Sequence, residues 1–146
     1  MISFFEFEEK YLEECTNLYV DTFNAPPWND HWDYDSVYNR LKDIYQTPGF
    51  LGLIAYEEEK IIAAVLGNME HWYEGKMYNL KEMFVQKDLR GKGIGSQLLN
   101  EFNEWLKKKG VTSIWLFTME GDMTEDFYKK NGYKKIDKMV MMSRDI

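Results

Sequence analysis

The sequence has a single cysteine, Cys15, in 146 residues. No internal disulfide and no cysteine-based zinc site can be built from it. Its two histidines, His31 and His71, lack the spacing of a ligand pair, and no metal is expected. The three prolines stand at positions 26, 27 and 48, where each marks a loop or a stop. No stretch approaches the roughly 18 apolar residues of a membrane span, so no membrane partner is expected. The opening Met1-Ile2-Ser3-Phe4-Phe5-Glu6 has no basic region followed by an apolar run and does not read as a signal peptide. A soluble cytoplasmic protein is the expectation. Excess basic charge is missing too: the formal net charge is −7. Nonspecific nucleic-acid binding needs a basic face, so no nucleic-acid partner is expected. The same acidity suits a cationic substrate drawn in by the summed field, and equally suits a protein that is acidic for solubility.

What is present is a core. About 45% of the residues are apolar and 16% aromatic, enough for one buried core in one domain over residues 1–146. Ile2 to Phe7 reads as a strand. Tyr11, Leu12, Cys15, Leu18 and Tyr19 fall at helical spacing, with Cys15 as a small buried hydrophobe. The run Asn24 to Asp30 breaks that pattern. Asp33 or Asp35 can cap a second helix striped by Val37, Leu41, Ile44 and Tyr45, and Pro48-Gly49 ends it. Strands follow at Phe50–Tyr56, Ile61–Asn68 and Tyr78–Val85, joined by Glu57-Glu58-Glu59-Lys60 and by Trp72-Tyr73-Glu74-Gly75-Lys76. Short connections in succession predict an antiparallel meander. Gly95 to Lys109 predicts a helix, Ser113 to Thr118 a strand, and the strand–helix–strand order a parallel crossover. Asp122 can cap a short helix with Glu125 three residues on, ending at Asn131-Gly132. Tyr133 to Ser143 predicts two short strands or one bent one.

The segment Val85-Gln86-Lys87-Asp88-Leu89-Arg90-Gly91-Lys92-Gly93-Ile94-Gly95-Ser96 carries the chemistry. A strand runs into glycines, and the glycines run into a helix. Glycines let backbone N–H groups approach a ligand. The helix start adds unpaired donors and partial positive charge, and Arg90 and Lys92 add cations. The result is a site for a diphosphate. A Walker A loop needs Gly-Lys-Ser/Thr, but Lys92 is followed by Gly93. A dinucleotide fingerprint needs a third glycine where Ser96 stands.

Arg90-x-x-Gly93-x-Gly95 resembles the Arg/Gln-x-x-Gly-x-Gly/Ala motif of the GNAT family of N-acetyltransferases. Phe127-Tyr128-Lys129-Lys130-Asn131-Gly132-Tyr133 is similar to that family's Phe-Tyr-x-x-x-Gly-Phe segment, and the element order matches over nearly the whole chain. The resemblance implies an α/β (α+β) fold with a mixed, mostly antiparallel sheet and about four helices, in the order β-α-α-β-β-β-α-β-α-β-β. It implies acetyl-CoA as co-substrate, lying where the strand Glu82-Met83-Phe84-Val85 splays from the strand at Ser113 to Thr118. Backbone groups of Met83 and Val85 would hold the pantetheine arm. Backbone N–H groups of Arg90, Gly91, Lys92, Gly93, Ile94, Gly95 and Ser96 would hold the pyrophosphate. Amides of Met83 and Phe84 would meet the oxyanion. The implied reaction is direct attack of a primary amine through a tetrahedral intermediate. Tyr128 matches the family's acid, a phenol that stays protonated at neutral pH. Glu82 is the candidate base, directly or through water, if its face of the strand meets the substrate. The family's asparagine about seven residues before the tyrosine is missing: Gly121 and Asp122 occupy that region, and Thr118, Glu120 or Asp122 could substitute.

On the acceptor side, Trp28 and Trp32 offer ring faces to a cation, with Asp30, Asp33 and Asp35 beside them. Trp72, Tyr73 and Glu74 form a second cluster. These point to a small cationic amine, a polyamine or aminosugar. The same residues could instead cap the core and a helix. Two other functions stay open: a protein or peptide amine acetyltransferase, and a noncatalytic acyl-CoA-binding module. The apolar Met139-Val140-Met141-Met142 permits a homodimer.

Overall fold

A computed structural model describes all residues from Met1 to Ile146. They form two compact units, Met1–Leu116 and Phe117–Ile146. The first contains a five-stranded sheet in the sequence order β1-β2-β3-β4-β5. Its strands are β1 (Ser3–Glu6), β2 (Phe50–Glu57), β3 (Lys60–Trp72), β4 (Gly75–Val85) and β5 (Val111–Trp115), and its helices are α1 (Leu12–Phe23), α2 (Tyr34–Tyr45) and α3 (Ile94–Lys108). The first four strands pair antiparallel, β2 to β4 as the short turns predict, and β5 runs parallel to β4 after the α3 crossover.

Each helix forms where one stripe can be buried. Leu12, Cys15, Leu18 and Tyr19 of α1 and Val37, Leu41 and Ile44 of α2 are buried with Phe7, Ile54, Leu66 and Phe84 of the sheet. Asp33 caps α2 by accepting the Ser36 N–H at 2.7 Å, which meets one of the orphan donors of a helix start. Leu98, Leu99, Phe102 and Leu106 of α3 are buried, and Phe102 packs edge-on against Tyr78 of β4, centroids 4.9 Å apart. Tyr78 is itself fully buried and donates to the Leu51 carbonyl at 2.6 Å.

The β3–β4 hairpin is longer than the sequence predicts. The strands run to Trp72 and resume at Gly75, so only Tyr73 and Glu74 turn. Its register slips once: Leu66 faces Glu82 but Gly67 faces Leu80, leaving Lys81 as an extra residue on β4. Such a bulge re-aims the side chains beside it. A Cβ at Gly67 would strike the Asn79 carbonyl oxygen, so the close approach there admits only glycine.

The second unit holds α4 (Thr124–Lys130). Its start differs from expectation. Met123 is the N-cap residue and makes no side-chain cap; Asp122 does not cap. Glu125 instead accepts the Gly121 N–H at 2.9 Å, and Thr118 donates to Thr124 at 2.7 Å. The two tail strands expected over Tyr133 to Ser143 are absent. Lys134, Lys135, Asp137 and Lys138 leave that stretch no apolar alternation, and Met139 to Met142 are all exposed. A strand without pairing or burial has nothing to hold it.

Candidate functional site

Pairing between β4 and β5 ends at Asn79 and Trp115, yet β4 continues to Val85. β5 itself ends at Trp115, so β4 has no parallel partner strand along Leu80 to Val85. Gln86 donates to the Ile62 carbonyl at 2.8 Å. By alternation, the backbone groups of Phe84 and Glu82 also face β3, and those of Met83 and Val85 face the other way. This corrects one expectation. The Phe84 amide belongs to the β3 ladder, not to an oxyanion site. The Phe84 ring lies in the core, 5.4 Å from Tyr19 and 6.3 Å from Phe23.

After β4, a turn of 3₁₀-helix over Lys87–Leu89 leads to the glycines. Gly91 and Gly93 have φ of 78° and 80°, the left-handed region that glycine reaches without penalty. A Cβ on either would meet nothing within 4 Å, so backbone conformation, not crowding by the protein, sets the residue type. Gly93 caps α3 with no side chain over the helix start. The first intrahelical bond is Gln97 N–H to the Gly93 carbonyl, 3.0 Å. The amides of Ile94, Gly95 and Ser96 precede it and end the helix in donors. Lys92 is exposed, while Ile94 and Gly95 are buried. These residues fit a diphosphate: positive-φ glycines, open space above them, and a helix start with no acidic residue in its first turn.

Arg90 is placed differently from expectation. Its guanidinium donates to the carbonyls of Thr22 at 3.3 Å and Pro26 at 3.4 Å and stacks 4.5 Å from the Trp28 ring. It is a strut under the α1–α2 loop and not a loose cation. Burial pulls its pKa down from the ordinary guanidinium value.

Trp28 continues the chain of rings to Phe23 at 4.9 Å, Phe23 to Tyr19 at 4.5 Å, and Tyr19 to Trp32 at 5.5 Å. Asn24 fixes Trp32 by donating to its carbonyl at 2.8 Å and accepting its N–H at 2.9 Å. Asp30 accepts from the Trp32 indole at 3.2 Å. Asp30 and the cap Asp33 therefore already have partners within their own loop. Trp72 and Tyr73 are not brought to this place. They sit exposed at the hairpin tip, 5.8 Å apart, and Glu82 lies seven residues up β4 from Gly75, about 24 Å along a strand. The two aromatic clusters do not form one site.

Glu82 faces α1 and α2. Arg40 of α2 donates to its Oε1 through Nε at 2.9 Å and Nη2 at 2.6 Å, and the Tyr19 hydroxyl reaches the same oxygen at 3.4 Å. The Glu82 side chain is 11% exposed against 42% for Arg40. Burial raises the Glu82 pKa above the ordinary carboxylate value, and the Arg40 charge and hydrogen bonds oppose that rise. Burial and the Glu82 charge push the Tyr19 phenol well up, so it remains a donor. Arg40, but not Glu82, lines a cavity of about 450 Å³, together with Trp32, Ser36, Asn39, Asp43, Thr47 and Lys81. Arg40 was legible: it stands three residues after Val37 and four before Ile44, a cation on the apolar stripe of α2.

In the second unit, Tyr128 lies on α4 with its ring 5.1 Å from Phe127 and 5.3 Å from Tyr133. Burial raises the Tyr133 pKa to about 12. Cys15 is fully buried, and burial pushes its thiol far up, which leaves no thiolate for an acyl-cysteine step. No three His, Cys, Asp or Glu residues gather as a metal cluster.

A family model described as the acetyltransferase (GNAT) family matches residues 12–133. The chain belongs to that family. GNAT enzymes use acetyl-CoA as co-substrate. Among curated proteins, an uncharacterised N-acetyltransferase of Methanocaldococcus jannaschii, MJ1207, is 36% identical over 58 residues, covering 38% of this chain and 25% of that protein. The matched stretch is thus about a quarter of that relative's length. Among solved structures, a possible acetyltransferase from Clostridium difficile 630 has a TM-score of 0.82 at 15% identity, covering 100% of this GNAT chain and 98% of the other. An aminoglycoside N-acetyltransferase, AAC(6')-Iy, solved in complex with CoA, has a TM-score of 0.78 at 18% identity, covering 99% and 95%. At these identities the likeness concerns the GNAT fold.

Proposed function

We propose that this GNAT chain is an acetyl-CoA-dependent N-acetyltransferase acting on the primary amine of a small cationic acceptor, of aminosugar or polyamine type. The observation that carries the reading is the segment Leu80 to Ser96. There a strand runs on past the end of its parallel neighbour, and the chain then turns through two positive-φ glycines into the uncovered start of α3. The direction of the Met83 and Val85 backbone suits a pantetheine arm. The amides of Ile94, Gly95 and Ser96, with Gly91, Lys92 and Gly93, suit its pyrophosphate.

Acetyl-CoA supplies the acyl group already activated as a thioester. The residues of the chain have three tasks. The Glu82 carboxylate takes a proton from the acceptor ammonium, directly or through water. Backbone N–H groups at Met83 meet the charge that develops on the acyl oxygen. The Tyr128 phenol gives a proton to the departing sulfur; its support is the Phe127-to-Tyr133 motif. Nitrogen gains the acyl bond that sulfur loses, and the second proton that nitrogen sheds as the intermediate collapses returns through water to the Tyr128 oxygen.

Support for the acceptor class is of a different kind. Ser36, Asn39 and Thr47 in the cavity offer neutral hydrogen bonds of the sort a sugar ring uses, and Asp43 and the Trp32 ring face add attraction for a cation. The net charge of −7 acts in the same direction at long range. Aminoglycoside is a word in the names of several structural neighbours. The test is an acetyl-CoA-coupled screen of aminosugars, polyamines, neutral and acidic amino acids, and lysine peptides. Turnover on aminosugars or polyamines is expected; turnover on acidic or neutral amino acids alone would overturn the acceptor assignment.

A further inference from the structure

We infer that Arg40 is a positioning residue for the reaction, holding the Glu82 carboxylate ionised and in one orientation so that its second oxygen receives the acceptor's proton. The inference rests on Glu82 being the base. It adds a residue outside the strand, the glycine turn and the tyrosine motif.

The geometry is one-sided. Nε and Nη2 of Arg40 and the hydroxyl of Tyr19 all reach Oε1. A carboxylate bound through one oxygen by a planar fork cannot rotate without breaking both contacts. Oε2 takes none of these three bonds. Tyr19 is itself wedged among Phe23, Trp32 and Phe84, so the third donor is fixed as well. Arg40 is anchored by its place on α2, between the fully buried Val37 and Leu41 and the buried Ile44, and α2 is started by the Asp33 cap. The bulge at Lys81 turns Glu82 toward these helices.

The chemical need is specific. A base buried as deeply as Glu82 loses solvation in its charged form and drifts toward the protonated acid. A protonated Glu82 cannot take a proton from an ammonium group. The groups that face it are Arg40 from α2 and Tyr19 from α1, with Lys81 next to it on β4. Arg40 is the cation in direct contact, and Tyr19 is a neutral donor whose own ionisation is suppressed. A fixed counter-charge therefore keeps the base usable at neutral pH, and the exposed flank of Arg40 opens to the cavity that would hold the acceptor.

The experiment is the pH profile of kcat/KM for the purified full chain, with any amine the screen finds, in four forms: wild type, Arg40→Met, Arg40→Lys and Glu82→Gln. Arg40→Met keeps the length of the stem and removes the charge. Its acid limb should move to higher pH by about one to three units, with activity recovering on the alkaline side. Arg40→Lys restores charge without the fork. It should bring the limb back toward wild type while kcat stays reduced. Glu82→Gln should remove the limb. If Arg40→Met lowers activity by the same factor at every pH, Arg40 is structural and the inference fails while the base assignment stands. If Glu82→Gln keeps both the limb and full activity, the base assignment itself fails. Circular dichroism and thermal melts of each form separate misfolding from chemistry. If Arg40→Met does not fold, Arg40→Lys and Arg40→Gln carry the comparison, and a limb that stays put in both overturns the inference.

Discussion

Arg90 opens the Arg-x-x-Gly-x-Gly motif, and its side chain is held by the protein itself. Its guanidinium faces the Thr22 and Pro26 carbonyls and the Trp28 ring, so it braces the α1–α2 loop against the glycine turn. A partly exposed cation–π contact with two long hydrogen bonds is worth about 1 kcal/mol, or about fivefold in binding. Arg90→Ala should raise KM for the acceptor by about that factor, with a smaller change for acetyl-CoA. Steady-state kinetics with each substrate varied in turn will check it; an effect on acetyl-CoA alone would return Arg90 to the phosphate. Tyr128→Phe should lower kcat by about a hundredfold or more if the phenol is the acid, and unchanged kcat would remove that role. At this scale the sequence named candidate residues but not what they touch. Glu82 and Arg40 are 42 residues apart, and only the packing of α2 on the sheet unites them. Trp72 and Tyr73 are aromatic like Trp28 and Trp32, yet the extra length of the hairpin carries them away.

Elements were more legible, because period and punctuation are local. The meander, the α3 crossover and the Asp33 cap all follow from residues within a few positions of one another. The failures are non-local. Where the β4–β5 pairing stops depends on where β5 ends, and the two short strands or one bent strand expected over Tyr133 to Ser143 do not form. Two predictions belong here. Gly93→Ala places a Cβ on a residue with φ of 80°, costing about 1 kcal/mol in backbone strain alone, since no protein atom is near. It should weaken acetyl-CoA by about tenfold or more, by spoiling the approach to the helix-start amides, and a titration will show it. Asp33→Ala should lower Tm by a few degrees, about what loss of a cap costs in a domain of this size. The cap bonds hold the Asp33 carboxyl below its ordinary pKa. That stabilisation is present above the unfolded carboxylate pKa and is lost as pH falls through the lower folded value. The gap in Tm between wild type and Asp33→Ala should therefore close in acid. A gap that stays constant to low pH would mean that the ionised cap is not the cause.

For the whole molecule the central claim is that the turn from β4 into α3 binds acetyl-CoA. Family membership rests on residues 12–133, and the proposed acceptor class follows from the lining of one cavity. Binding to the folded state alone must stabilise it, by about 2.7 kcal/mol when acetyl-CoA is at a hundred times its Kd. Thermal melts should rise with ligand concentration accordingly. The most direct measurement is isothermal titration of the full chain with acetyl-CoA, run beside Gly93→Ala. The account predicts saturable binding at one site per chain, weakened in the variant. No heat of binding at millimolar acetyl-CoA, or equal affinity in both proteins, would contradict it.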